Sequence, residues 1–432
     1  MKILDYRDDD FDGAIDSLNQ RTAFPDDISQ SVAEILKDIQ ANGDAAVIRY
    51  AEKFDQAKLS AETFLYSEAD IAQASAAVGD DVKTAIKLAH ANVSRFSKER
   101  LPKDWSFNPR DGVELGERFV PLQRIAAYIP GGAAPLVSTV LHTITMAQVA
   151  GVEEIVIVSP ASSSGEINPA IVYAATIAGA TEIYRLGGVY AIGAMAYGTE
   201  TIKKVDKIVG PGNAYVTAAK RHVYGHVALD LVAGPSEVLI IADSSADPAF
   251  IAADMLAQAE HGSGMEQAVL VTTEDDMIKS VQDELSKQSA ELLRKDLIQK
   301  VLDNGIYLIR VQDLSQAVDV TNAYAPEHLE IMTTDARALA NEIRCAGAIF
   351  LGNYTPEPVG DFVAGPSHVL PTGGAARYFN GLTVDQFCRR ISMVEYSQEA
   401  LTKEREAIKQ FAKIEELDAH GNSVEIRFKE EL

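Results

Sequence analysis

The stretch EEIVIVSPASSSGEINPAIVYAATIAGATEIYRLGG, residues 153–188, reads as a strand, a helix and a second strand. EEIVIVSP is an apolar, β-branched run too short for a helix. Asn168-Pro169 supplies an N-cap and a first-turn proline, and Gly179 stops the helix they open. EIYRLGG is the next strand. A strand, a crossover helix and a second strand make a βαβ unit with parallel strands. From about residue 113 the same texture extends in both directions: RIAAYIP, DKIVG, VALDLV, EVLIIAD, AVLVTT, IYLIRV, LEIMT and AGAIFLG are further short β-rich runs. Most are separated by amphipathic stretches, and Asp247-Pro248 opens another helix that ends at Gly262. The alternation predicts an α/β fold with mostly parallel sheet, and ligands are then expected at the carboxyl ends of strands.

Outside this region the pattern differs. Residues 26–110 read as helical, with ISQSVAEILKDIQ stopping at Asn42-Gly43 and a second run in DVKTAIKLAHANVSRFSKERL. After about residue 375, ARYFNGLTVDQFCRRISMVEYS is mixed, TKEREAIKQFAKIEEL is a charged helix and DAHGNSVEIRF follows, which together suggest a small appended domain or arm. The chain also contains an echo: Asp230–Leu239 reads DLVAGPSEVL and Asp361–Leu370 reads DFVAGPSHVL, identical at eight of ten positions. Two related α/β halves, each closing on the same turn, account for it.

Composition narrows the function. The 432 residues suffice for two or three domains and a large core. Acidic residues outnumber basic ones 63 to 39, and the net charge of −24 argues against nucleic acid as a partner. There is no apolar run long enough to span a membrane. The start, MKILDYRDDDFDG, lacks the apolar core of a signal peptide, and two cysteines fit a reducing cytoplasm rather than a disulfide framework.

Few residues carry chemistry. There are eight histidines. His90 and His142 lie inside helical patterns, and His222 and His226 flank a helix end, where their charge suits the dipole. Gln258 and His261 share a helix face and could point at one ion. Glu327 and His328 pair a carboxylate with an imidazole just before a strand, and such a pair can divide acid and base duties. Asp361 and His368 bracket the second AGPS turn, and His420 lies in the tail. Gln, Asp and His are acceptable zinc ligands, although each residue alone reads first as a satisfied polar group. The turns Gly131-Gly132, Gly187-Gly188 and Gly210-Pro211-Gly212-Asn213 could hold phosphate on backbone amides or simply be tight turns.

Together these blocks resemble the histidinol dehydrogenase family, zinc- and NAD-dependent enzymes of the last two steps of histidine biosynthesis. AAYIPGGAAPLVSTVL, VDKIVGPGNAYVTAAKR, ALDLVAGPSEVLIIAD, DMLAQAEHG, NAYAPEHLEI, TPEPVGDFVAGPSHVLPTGGAARY and LDAHGNSVEIR carry the resemblance, in order, from about residue 25 to the end. It implies two incomplete Rossmann-like domains related by duplication, with small helical N- and C-terminal extensions. The expected boundaries are 1–24 for an N-terminal extension, 25–127 with 237–374 for the first domain, 128–236 for the second, NAD-side domain, and 375–432 for a C-terminal dimerisation arm.

The resemblance also implies roles. Zinc would be held by Gln258, His261 and Asp361, with His420 coming from the other subunit of a homodimer. Glu327 and His328 would be the acid–base pair. Ser138, Ser236, Glu357, His368 and Glu415 match substrate positions, and the metal ligands would touch substrate too. Tyr128 and Asn213 match NAD contacts. Tyr190 stands where the family usually has glutamine facing NAD, so Tyr190→Gln is expected to be tolerated. The usual acidic residue after Glu260-His261 is replaced by Gly262. The implied substrate is L-histidinol. A same-fold dehydrogenase for another amino alcohol or polyol, or a silent binding protein on the same scaffold, are the rival readings. Retention of the substrate-side and zinc positions argues against both.

Overall fold

The computed structural model describes residues 1–21, 28–131 and 135–428. The expected boundary at residues 24/25 and Gly132 of the first glycine turn lie outside the described residues. The chain forms two compact units, residues 1–100 with 122–387, and residues 101–121 with 388–432. Its strands are β1 (Lys2–Asp5), β2 (Trp105–Arg110), β3 (Val113–Pro121), β4 (Arg124–Tyr128), β5 (Glu154–Val158), β6 (Glu182–Tyr184), β7 (Lys207–Val209), β8 (Ala228–Leu229), β9 (Glu237–Ala242), β10 (Gln267–Thr272), β11 (Ile306–Arg310), β12 (His328–Met332), β13 (Ala348–Leu351) and β14 (Cys388–Tyr396).

The larger unit contains two all-parallel sheets. One has the order β6-β5-β4-β7-β8 and the other β1-β11-β10-β9-β12-β13. Counting from β4 and from β9, both run 3-2-1-4-5, which is a Rossmann-type order short of its sixth strand. The expected pair of related halves is thus visible in the topology. Their strands read as near-continuous apolar runs because helices cover both faces. All six residues of EVLIIA in β9 are buried.

Local chemistry sets the helix ends. Asn168 Oδ1 accepts from the Ala170 N–H at 2.9 Å ahead of Pro169–Ile177. Asp247 Oδ1 accepts from the Ala249 N–H at 2.8 Å ahead of Pro248–Ala259. The expected stop at Asn42-Gly43 is instead a kink inside Ile28–Tyr50, where Gly43 takes φ 46°.

Three segments sit differently from the expected boundaries. Residues Lys2–Asp5 form the edge strand beside β11, and Phe11, Ile15 and Leu18 of helix Phe11–Asn19 enter the core under that sheet. Helix Ile28–Tyr50 packs on Gly188–Tyr197 and Ala214–Val223 of the other half, because its apolar stripe Val32, Leu36, Ile39 and Val47 joins their core. In the smaller unit, β14 pairs antiparallel with β3 and β3 with β2, followed by helices Gln398–Ile414 and Asp418–Glu425. Residues 105–110, read from the sequence as the end of a helical region, are therefore a strand. Every one of them is exposed, so no buried face imprints a period on that segment.

Candidate active site

Glu327 and His328 stand at the amino end of β12, beside the amino end of β9. The Glu237 N–H donates to Glu327 Oε2 at 2.9 Å. The Glu237 carbonyl lies 3.1 Å from His328 Nδ1. A carbonyl only accepts, so Nδ1 carries the proton and Nε2 keeps its lone pair. Burial lowers the His328 imidazole to about 4, which leaves it neutral near pH 7. Burial also raises Glu327 well above the usual carboxyl range, against the pull of the Glu237 N–H.

The rest of the site follows from strand and helix periods. Alternation puts His328 and Glu330 on one face of β12, the face covered by Pro248–Ala259. That helix runs back from the carboxyl end of β9, so Gln258 and the following His261 arrive at the amino ends of the strands. Asp361 lies in helix Glu357–Phe362. Its carboxylate is 3.8 Å from His261 Nε2 and 3.8 Å from His328 Nε2. Glu357 Oε1 is 3.6 Å from His328 Nδ1. The ligand atoms of His261, Glu357 and Asp361 lie within 4.8 Å of one another. The carboxyl-end placement expected from the fold therefore does not describe this cluster, which gathers at the amino edge of the sheet.

The donor set can be tested for a metal. Gln258 Oε1, His328 Nε2, His368 Nε2 and both Glu357 carboxylate oxygens are buried with no hydrogen-bond partner among the described residues. Buried acceptors left unpaired in this way are costly, and a cation satisfies several at once. The His261 Nδ1 lies 3.3 Å from both the Ala257 carbonyl and the Gln258 Nε2, and its Nε2 faces the Asp361 carboxylate. Nitrogen and oxygen donors without thiolate fit zinc.

Among the residues expected to contact substrate, His368 Nδ1 lies 3.0 Å from the Asp361 carbonyl, and burial lowers the ring to about 4. Its ring stacks on His142, centroids 4.6 Å apart. Ser138 is one turn before His142 on Val137–Ala150. Ser236 directly precedes β9, with its side chain against Glu327. Glu415 caps Gln398–Ile414, and His420 stands exposed on Asp418–Glu425, both in the smaller unit.

The residues expected to contact a cofactor lie where the order of the other sheet reverses, between β4 and β7. Tyr128 ends β4, and Gly210-Pro211-Gly212-Asn213 follows β7. Gly210 has φ 104°, and a Cβ there would lie 2.3 Å from the Tyr128 carbonyl oxygen, so only glycine closes this turn. Asn213 Oδ1 caps the next helix, accepting from Tyr215 and Val216 N–H at 3.1 Å each. The Tyr128 hydroxyl accepts from the Gly188 N–H at 3.2 Å, and burial pushes it up to about 12. Tyr190, the expected cofactor contact, is 1% exposed in the core and its hydroxyl donates to Asp55. It braces the Gly187-Gly188 turn from behind. The segment Asp230–Ser236 carries the chain from the carboxyl end of β8 to the amino end of β9, joining the crevice of one sheet to the reactive edge of the other.

Sequence reading missed Glu237, Asp254 and Glu330. Glu330 Oε1 accepts from the Glu357 N–H at 2.6 Å and so holds the start of the helix bearing Asp361. Burial raises both Glu330, well above the usual range, and its neighbour Asp254, to about 6. Both had a signal: Glu330 is two residues from His328 on a strand, and Asp254 is one turn from Gln258 on a helix. Glu237 had none, since it acts through its peptide group.

Residues 18–428 match the protein family described as histidinol dehydrogenase. The histidinol dehydrogenase of Heliobacterium mobile is 43% identical over 427 residues, 99% of either chain. That of a Synechococcus strain is 46% identical over 397 residues, 92% of this chain and 91% of its own. The crystal structure of histidinol dehydrogenase from Elizabethkingia anophelis matches with a TM-score of 0.94 and 38% identity, over 99% of this chain and 98% of that one.

Proposed function

The chain belongs to the histidinol dehydrogenase family, and on that premise we propose that it oxidises L-histidinol through bound L-histidinaldehyde to L-histidine, using two NAD. The observation that carries this reading is His328. It is buried, neutral and fixed in one tautomer, with its Nε2 lone pair turned toward Asp361. Zinc, held by Gln258, His261 and Asp361 with His420 from a second copy of the chain, would supply a Lewis-acid anchor for the substrate imidazole and amine. NAD would accept the hydride.

The chain's own groups then divide the work. His328 Nε2 takes the alcohol proton as hydride leaves the carbinol carbon. Glu327 takes a proton from the water that adds to the aldehyde carbon. Its ionised form is strongly basic because burial disfavours it, and the Glu237 N–H and Ser236 keep it attainable. His328 then takes a hydroxyl proton from the hydrate as the second hydride leaves. The balance is histidinol, two NAD⁺ and water giving histidine, two NADH and three protons. Glu357, His368, Ser138, Ser236 and Glu415 would orient the substrate, and Tyr128 and Asn213 would border the nicotinamide nucleotide. A cytoplasmic setting belongs to the same reading, and Cys345 and Cys388 standing as thiols support it. No helix among the described residues is long and apolar enough to cross a membrane.

The test is turnover with L-histidinol and NAD⁺, with two NADH expected per histidinol. Glu327→Gln retains shape but removes the base for water. Oxidation of supplied histidinaldehyde should therefore fall far more than oxidation of histidinol to the aldehyde. No NADH from histidinol, or equal losses in both steps, would refute the assignment.

A further inference from the structure

One residue outside the reacting set holds both members of the acid–base pair. The Glu237 N–H bonds Glu327, and its carbonyl bonds the Nδ1–H of His328. A tilt of this one peptide would move the carboxylate and the imidazole together. What fixes the peptide is therefore a question about catalysis.

The Glu237 side chain is fixed from the far end of the sequence. Arg21 Nη1 lies 2.8 Å from Glu237 Oε1, with side-chain exposures of 8% and 5%. The Gly373 N–H donates to the same oxygen at 3.0 Å. The Arg21 guanidinium also lies 3.6 Å over the Tyr324 ring and donates to the Tyr324 carbonyl. Tyr324 is the last residue of Leu314–Tyr324, and its hydroxyl donates to Gln267 at 2.8 Å. Only Ala325, in a left-handed conformation at φ 53°, and Pro326 separate Tyr324 from Glu327. Arg21 thus grips the pair by two routes, through Glu237 on β9 and through the chain that delivers Glu327-His328 to β12.

A buried ion pair adds little stability over an apolar pair of equal volume, since desolvation offsets its attraction. What a planar guanidinium, ion-paired with Glu237 and hydrogen-bonded to the Tyr324 carbonyl, adds is position. We infer that Arg21 is a positioning residue for proton transfer, locking the Glu237 peptide and the Tyr324–Glu327 segment so that Glu327 and His328 stay in reacting register. The inference rests on the reading of those two residues as the proton-transfer groups.

The test uses zinc-replete full-length protein and compares Arg21→Met, Arg21→Lys, Glu237→Gln and the Arg21→Met/Glu237→Gln double variant. Arg21→Met should lower kcat by about tenfold to a hundredfold, while KM for histidinol and for NAD⁺ stays within about threefold. Arg21→Lys, which restores charge without the fork, should recover part of the loss. The double variant should be no worse than the poorer single, because both break one linkage. A purely structural Arg21 would lower the melting temperature and leave kcat per folded, zinc-loaded site within about twofold of wild type, and that result overturns the inference. Should Arg21→Met fail to fold, Glu237→Gln keeps the side-chain shape and answers by the same threshold. Wild-type protein unable to oxidise histidinol, or a fully active His328→Asn variant, overturns both this inference and the reading beneath it. An inactive His328→Asn beside fully active Arg21 and Glu237 variants overturns this inference alone.

Discussion

Tyr190→Phe separates a core role for this tyrosine from a cofactor contact. The Tyr190 ring is buried among Leu36, Ile39, Val189 and Ile192, and its hydroxyl donates to Asp55. Phenylalanine keeps the ring and deletes that one bond. A hydrogen bond to a half-buried charged group is worth about 2 kcal/mol, so for a chain of this length the melting temperature should drop by roughly 2 °C at neutral pH. The loss should depend on pH with a definite sign. Burial raises Asp55 from 3.8, and the Tyr190 hydroxyl draws it partly back. Without the hydroxyl the folded-state value climbs further above the unfolded one. The folded variant then binds more protons than the unfolded chain above pH 3.8, and its stability falls as pH rises through that window. The deficit against wild type should be small near pH 4 and complete by neutrality. Tyr190→Gln, the family's usual residue, should fare worse here, since emptying an aromatic site in a packed core costs on the order of 3 to 5 kcal/mol. Thermal melts across pH and the Michaelis constant for NAD⁺ are the two assays. The constant should shift by no more than about threefold. A rise of about a hundredfold in Tyr190→Phe with unchanged melting would place the hydroxyl on the cofactor and refute the reasoning.

Dialysis against a chelator should abolish turnover and Zn²⁺ should restore it, because the donors are nitrogen and oxygen without thiolate; full activity in verified metal-free protein would count against the metal's role. If His420 completes the site of a second copy, His261→Ala and His420→Ala should each be inactive, yet mixed heterodimers should recover about a quarter of all sites. No recovery in heterodimers confirmed by mass would rule out sharing.

The parallel sheets were legible because burial on both faces leaves long apolar runs, and EEIVIVSP and EVLIIAD have no other economical reading. The Gln258-His261 and Glu327-His328 groups were legible for a similar reason, since helix and strand periods bring near neighbours to one face. Their meeting with Asp361 was not, because nothing local encodes the return of Pro248–Ala259 to the amino edge. Strands Trp105–Arg110 and Cys388–Tyr396 were missed because their residues are mostly exposed, and without a buried face the period is weak. Lys2–Asp5 was missed because an edge strand of four residues carries little pattern. The cofactor contact expected of Tyr190 rests on analogy, while the structure buries its ring and bonds its hydroxyl to Asp55. A residue that replaces a glutamine need not inherit its contact, and an aromatic ring between Val189 and Ile192 on an apolar helix is more simply read as core.

The repeated turn places the same aspartate in two different settings. In the first copy the Asp230 side chain is fully buried on Lys220 Nζ at 2.5 Å, and its other oxygen accepts from the Gly210 N–H at 2.7 Å. The same ammonium donates to the Gly210 carbonyl at 2.8 Å. That aspartate is neutralised from within the chain and closes the turn after β7. In the second copy the matching residue is Asp361, and its ion-pair partners among the described residues are His261 and His328, each at 3.8 Å. His328 is held neutral by burial, so it offers a lone pair and not a charge. A carboxylate facing an uncharged imidazole, with the unpaired carbonyl oxygen of Gln258 nearby on the same helix as His261, is an arrangement short of positive charge. The first copy supplies that charge with a fixed lysine and gains a rigid turn. The second pairs with no lysine among the described residues, and on the proposed reading a cation would take that place, so this difference at one aspartate would separate a structural turn from a ligand site.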